Sequence, residues 1–249
     1  MTNQRTKITL FVLITLFGSV NASEKITIIY NEQSPYIIHG SWGPYGLIGD
    51  VARNISIKTP LEFLWEKNSV PRQVHTLKEN PTNTCVLGVS KTENWDSLGV
   101  YTLPIYQEKD YYLFARSDDE FFTQELSLKD VFSNQQRKLI QITQYPYQDS
   151  LLRLIGKLNP PFISIRGDAE FALIALEEGR GDYVFLSESE GAYLAHLSNR
   201  PLEQFKKIKP ADLPPGEKHY FLCTKATSTP VMNILNEAIK EVTHNGEMH

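Results

Sequence analysis

The chain has 249 residues, with 29 acidic against 25 basic side chains and a net charge of −4. That balance excludes the basic face needed to displace counterions from nucleic-acid phosphates, and the one short basic run, Lys206-Lys207-Ile208-Lys209, reads as a solvated strand end. Two cysteines without CxxC spacing, and six histidines without metal-ligand spacing, supply no zinc motif.

The amino terminus reads as a secretory signal. Arg5 and Lys7 form a basic head, Ile8 to Val20 carry no charge, and Val20-Asn21-Ala22 offers small side chains where a signal peptidase cuts, before Ser23. The apolar run is too short for a permanent span. The junction has no cysteine to carry a lipid anchor, and no later stretch is long and apolar enough to cross a membrane. Cleavage removes Arg5 and Lys7 and leaves 23 basic against 29 acidic residues, a net charge of −6. The mature length suits one large domain or two of about 100 to 120 residues. Cys85 and Cys223 both lie in the mature region, where an oxidising compartment permits a disulfide and a pair of buried thiols is the alternative.

Strand and helix patterns then alternate to the end of the chain, which predicts α/β lobes with mixed sheets. Strands are expected at Ile26 to Tyr30, Leu61 to Glu66, Thr84 to Val89, Tyr111 to Ala115, Leu139 to Ile142, Asp182 to Leu186 and His219 to Thr224. Helical spacing marks Leu47 to Ser56, Arg72 to Glu79, Leu128 to Gln136, Ser150 to Leu158, Ala169 to Glu178 and Val231 to Val242, with a weaker pattern over Gly191 to Leu197. The helix from Ala169 runs to Glu177-Glu178-Gly179, a charged turn with a glycine stop. Two Pro-containing connections, Tyr101 to Tyr106 and Pro210 to Gly216, mark crossings between a discontinuous first lobe and a continuous second one. The expected division is residues 1–22 signal, 23–106 with 217–249 lobe 1, and 107–216 lobe 2. No nucleophile elbow, phosphate loop or dinucleotide fingerprint occurs, so no enzyme and no cofactor is expected.

This order of elements resembles the family 3 extracytoplasmic solute-binding proteins, the type that serves polar amino-acid ABC transporters. The residues that carry the match are the first strand followed by Pro35-Tyr36, Gly46 and Asp50 opening a helix, and Gly88-Val89-Ser90-Lys91-Thr92 after a strand. Further on they are Tyr101-Thr102-Leu103-Pro104-Ile105-Tyr106 and Gly179-Arg180-Gly181-Asp182-Tyr183, with Tyr220-Phe221-Leu222 before the last helix. The resemblance implies a type II periplasmic-binding-protein fold in a bacterial periplasm, a non-catalytic monomer whose two lobes close on a small molecule. Its topology also implies that the strands holding Cys85 and Cys223 lie side by side, joined by a disulfide. The implied partner is a membrane permease. The alternative is a clamshell that reports its ligand state to a membrane sensor, or that has lost its ligand and works as an interaction protein.

At the family's ligand positions the sequence departs. Trp95 stands where an arginine holds the α-carboxylate, Leu186-Ser187 stands where an acidic residue takes the α-amino group, and Gln144-Tyr145-Pro146-Tyr147 replaces a glycine-rich turn. A free α-amino acid is therefore not the expected ligand. The residues expected around the ligand are Tyr36, Ser90, Thr92, Trp95, Gln144, Tyr145, Tyr147 and Ser187. Such aromatic faces with convergent polar groups suit an apolar ring, a sugar face or a cation. Arg72, after Val70-Pro71, is the cation expected to meet any anionic ligand group.

Overall fold

The computed structural model describes residues 23–143, 147, 149–166, 169–197 and 204–244, so the expected signal segment lies outside the described residues. In chain order the first part comprises β1 (Lys25–Tyr30), α1 (Leu47–Ile57), β2 (Glu62–Lys67), α2 (Val70–Glu79), β3 (Thr84–Ser90), α3 (Glu93–Asp96) and β4 (Val100–Gln107). The second comprises β5 (Tyr111–Arg116), α4 (Leu128–Ser133), β6 (Leu139–Ile142), α5 (Asp149–Leu158), β7 (Phe162–Ile165), α6 (Ala169–Glu177), β8 (Tyr183–Ser187), α7 (Glu188–Leu197) and β9 (Phe205–Ile208). The chain then returns through β10 (Lys218–Cys223) and α8 (Thr229–His244).

These strands form two five-stranded sheets, ordered β2-β1-β3-β10-β4 and β7-β6-β8-β5-β9. Within the first, β1 runs parallel to β2 and β3, while β10 runs antiparallel to β3 and β4. Within the second, β5 is antiparallel to β8 and β9, and β6 is parallel to β7 and β8. Both faces of each sheet are covered, so the inner strands read as continuous apolar runs. Along β8, Tyr183 and Phe185 pack to one side with Phe132 and Leu113, while Val184 and Leu186 pack to the other with Leu173 and Leu176. In the first lobe Ile26 and Ile28 meet Ile55, Leu235 and Ile239 of α1 and α8, and Ile29 on the opposite face meets Leu77 and Val86. Among the described residues no helix is long and apolar enough to cross a membrane.

Three strands go beyond the sequence reading. The Pro-containing segment expected only as a crossing is the strand β4, which tolerates Pro104 because it lies at a sheet edge. β7 and β9 are edge strands of four residues each, too short for a periodicity to announce them; β9 contains most of the basic run, with Lys207 paired to Glu188. Helix α4 stops at Ser133 rather than Gln136, because Asn134 leaves helical geometry at ψ 101°.

The chain passes between sheets twice, from Gln107 to Tyr111 and from Ile208 to Lys218. The two crossings run side by side: Glu108 N donates to Glu217 O at 2.9 Å and Gln107 Nε2 to Gly216 O at 2.8 Å. A Cβ on Gly216 would lie 2.1 Å from Glu108 O, so only glycine permits this approach. Cys85 and Cys223 are directly opposed in the β3–β10 ladder and form the expected disulfide, with Cα atoms 3.8 Å apart.

Candidate functional site

The loop after β1 is held by the start of α1. Leu47 N donates to Pro35 O, and Ile48 N and Gly49 N donate to Tyr36 O, so the first turn of the helix finds its missing acceptors in this loop. Gly46, at φ +94°, makes the tight turn between them; a Cβ there would lie 2.5 Å from Pro35 O. The result is a fixed Tyr36, whose side chain is buried.

Its hydroxyl joins three parts of the chain. It donates to Glu108 Oε1, on the first crossing, at 2.7 Å, and lies 2.5 Å from Ser187 Oγ, at the end of β8 in the second lobe. With the Tyr36 proton on Glu108, Ser187 is the donor in the second bond. Ser187 also opens α7: its Oγ accepts from Glu190 N at 3.1 Å, and Ser187 N donates to Glu190 Oε2 at 2.9 Å, a reciprocal capping box. Two buried carboxylates, Glu108 and Glu190, thus lie close to one phenol.

Aromatic rings surround it. Tyr36 meets Tyr106 edge-on at 6.0 Å between ring centroids and stacks on His219 at 6.1 Å, and Tyr106 and His219 are 6.0 Å apart. His219 Nδ1 donates to Gly88 O at 3.0 Å, which leaves Nε2 buried without a hydrogen-bond partner, 3.9 Å from Glu108 Oε2. The buried Tyr106 hydroxyl also lacks a hydrogen-bond partner; Ser189 lies nearby without closing one. Burial, reinforced by the charges of Glu190 and Glu108, pushes the Tyr36 phenol far above the usual tyrosine range. Burial likewise raises Tyr106 and, beside the second-lobe core, Tyr147. These phenols stay neutral at physiological pH. Among the described residues, no lysine or arginine lies within 4.0 Å of Glu108, and no group of three or more His, Cys, Asp or Glu side chains converges as a metal site.

Of the residues expected from sequence, Tyr36 and Ser187 are in contact. Ser90 lies across the β3–β10 ladder from His219. Thr92 precedes α3, where its carbonyl accepts from Trp95 N and Asp96 N. Tyr147 is buried in the second-lobe core, its hydroxyl accepting from Ile142 N at 3.3 Å. Trp95 packs on the cluster of Ile29, Leu77, Val86 and Leu222. Arg72 is exposed on the first turn of α2. Gln144 and Tyr145 lie outside the described residues. Sequence reasoning missed Tyr106, Glu108, Glu190 and His219. The Ser187-Glu188-Ser189-Glu190 pattern is a capping-box signature that points to Glu190; no comparable signal marks the other three.

No protein-family model matches the sequence, and no curated protein is significantly similar to it. Solved structures are similar in shape. The probable amino-acid ABC transporter extracellular-binding protein YtmK of Bacillus subtilis is 13% identical, with 91% of this chain and 95% of that one covered and a TM-score of 0.69. The chain has the type II periplasmic-binding-protein fold. The glutamate-bound ligand-binding core of GluR0 from Nostoc punctiforme shares this fold with a TM-score of 0.65 at 14% identity, covering 90% of this chain and 95% of that one. So does the VFT2 domain of BvgS from Bordetella pertussis, with a TM-score of 0.66 at 15% identity and 90% of each chain covered. In this clamshell, Tyr36, Glu108 and Ser187 stand where the lobes meet.

Proposed function

We propose that this chain is an exported solute-binding protein, non-catalytic and monomeric, which closes its two lobes on a small molecule in the periplasm and delivers it to a membrane transporter. Residues 1–22 are its signal peptide, 23–106 with 217–249 its first lobe and 107–216 its second. The observation that carries this reading is the double link made by the Tyr36 hydroxyl of the first lobe, to Glu108 of the crossing and to Ser187 of the second lobe. Polar groups that meet only when the lobes close are the means by which a clamshell converts ligand contacts into a change of shape. Tyr36 and Ser187 are its central ligand-side residues, with Ser90, Thr92 and Tyr147 around them.

The ligand is not a free α-amino acid. An α-carboxylate placed beside Glu108 and Glu190 would meet like charge in a buried setting, and among the described residues no guanidinium lies within 4.0 Å of Glu108 to offset it. A second reading, in which the clamshell reports to a membrane receptor, is supported by the same link, because it ties the lobes with the chain's own side chains.

Thermal unfolding against a panel of amino acids, polyamines, sugars and aromatic acids tests the reading. A ligand at a hundred times its Kd stabilises the folded protein by about 2.7 kcal/mol and raises the melting temperature. Stabilisation by at least one non-amino-acid is expected. Selective stabilisation by glutamate or glutamine contradicts the ligand reading, and no stabilisation by any compound favours the second reading.

A further inference from the structure

We propose that the cleft takes a small organic cation bearing a primary ammonium group, held by Glu108 beside the rings of Tyr36, Tyr106 and His219; this rests on the solute-binding reading above. Three independent features converge on it. The first is charge. Glu108 is 6% exposed, and among the described residues the one basic group within 4.0 Å of its carboxylate is His219, 3.9 Å from Oε2 and outside hydrogen-bond range. A carboxylate taken out of water needs a cation and donors to offset its lost hydration, and the Tyr36 hydroxyl supplies a single neutral donor to Oε1. An ammonium group brings both.

The second feature is the cage. Three aromatic rings stand within 6.1 Å of one another, centroid to centroid, beside that carboxylate. Aromatic faces attract cations through the ring quadrupole, more strongly where water is excluded. Third, the fully buried Tyr106 hydroxyl has Ser189 beside it but completes no well-formed hydrogen bond, and its ring packs on both other members of the cage. An unpaired buried hydroxyl is costly, and its oxygen accepts a second N–H from an ammonium already on Glu108. A quaternary ammonium has no N–H to give, which is why a primary amine fits this set of acceptors. The absence of a converging metal-ligand group among the described residues favours an organic cation over a metal ion.

Calorimetry on the full mature protein tests the inference with putrescine, its neutral counterpart 1,4-butanediol, and the anion succinate, alongside glutamate and glucose. Putrescine is expected to bind, with the diol and succinate weaker by about 30-fold or more, the scale of removing one partner from a buried charge pair. Glu108→Gln should abolish most of that preference for putrescine over the diol, and Tyr106→Phe should reduce putrescine affinity several-fold while thermal unfolding stays cooperative. If Glu108→Gln does not fold, the putrescine–diol comparison on the unmodified protein still decides. Binding of glutamate, succinate or glucose without putrescine overturns the amine and leaves the solute-binding reading standing. No binding by any of the five overturns the amine as well, and the broader thermal panel then decides whether the solute-binding reading falls with it. Equal affinity for putrescine and the diol overturns the role of Glu108.

Discussion

Replacing Tyr36 by Phe removes one oxygen and leaves the ring, so packing against Tyr106 and His219 survives and no cavity opens. What is lost is the donor to the buried Glu108 carboxylate and the acceptor for Ser187 Oγ. A hydrogen bond to a charged group contributes about 1.5–3 kcal/mol and a neutral one about 1, so Tyr36→Phe should cost about 2–4 kcal/mol. For a chain of this size that corresponds to a fall of roughly 5–15 °C in melting temperature. The assay is thermal and urea unfolding of the single variants Tyr36→Phe and Glu108→Gln and of the double variant. Because the two residues touch, their effects should be non-additive, with a coupling of about 1–3 kcal/mol. A Tyr36→Phe protein within about 1 °C of the parent, with strictly additive effects, would refute the idea that this hydroxyl ties the lobes together.

Reducing the Cys85–Cys223 bond opens a loop spanning 138 residues, which in loop-closure terms removes about 5 kcal/mol of stability. The denaturant midpoint should fall accordingly, and two free thiols titrated in denatured, unreduced protein would contradict the bond. Gly216→Ala forces a Cβ against the Glu108 carbonyl and should cost about 1–3 kcal/mol by overpacking, read from the urea midpoint; an unchanged midpoint would show that the crossings shift freely. Buried phenols raised in pKa stabilise the fold below the unfolded tyrosine value, near 10, and lose that contribution as pH rises above it. Tyr36, Tyr147 and Tyr183 should therefore form phenolate, seen by ultraviolet difference absorbance, only together with alkaline unfolding. Full ionisation in protein that keeps its circular dichroism would argue against their burial.

The elements that announce themselves in the sequence are those with strong periodicity or continuous apolar runs. β1, β3, β8 and α8 fall within a few residues of expectation because their buried positions are filled by Ile, Val, Leu and Phe. The edge strands β7 and β9 carry little buried surface and leave little trace. Tyr36 and Ser187, which the structure brings into contact, were both expected near a ligand from their places after the first strand and at the end of β8. The charged half of the site was not, because Glu108 and His219 lie on segments whose role is set by crossing geometry and by a cross-strand neighbour, neither of which is local in sequence. Arg72, expected from its helix-start position to meet an anionic ligand group, is exposed on the first turn of α2.

The most direct test of lobe closure on a solute is a distance measurement between spin labels on the two lobes, at Glu66→Cys and Lys129→Cys, both exposed positions, with the native cysteines kept in their disulfide. A ligand that raises the melting temperature should shorten and narrow the distance distribution, and Tyr36→Phe should broaden it in the absence of ligand. A distribution that stays the same when the ligand saturates the protein would contradict closure of the lobes on a bound solute.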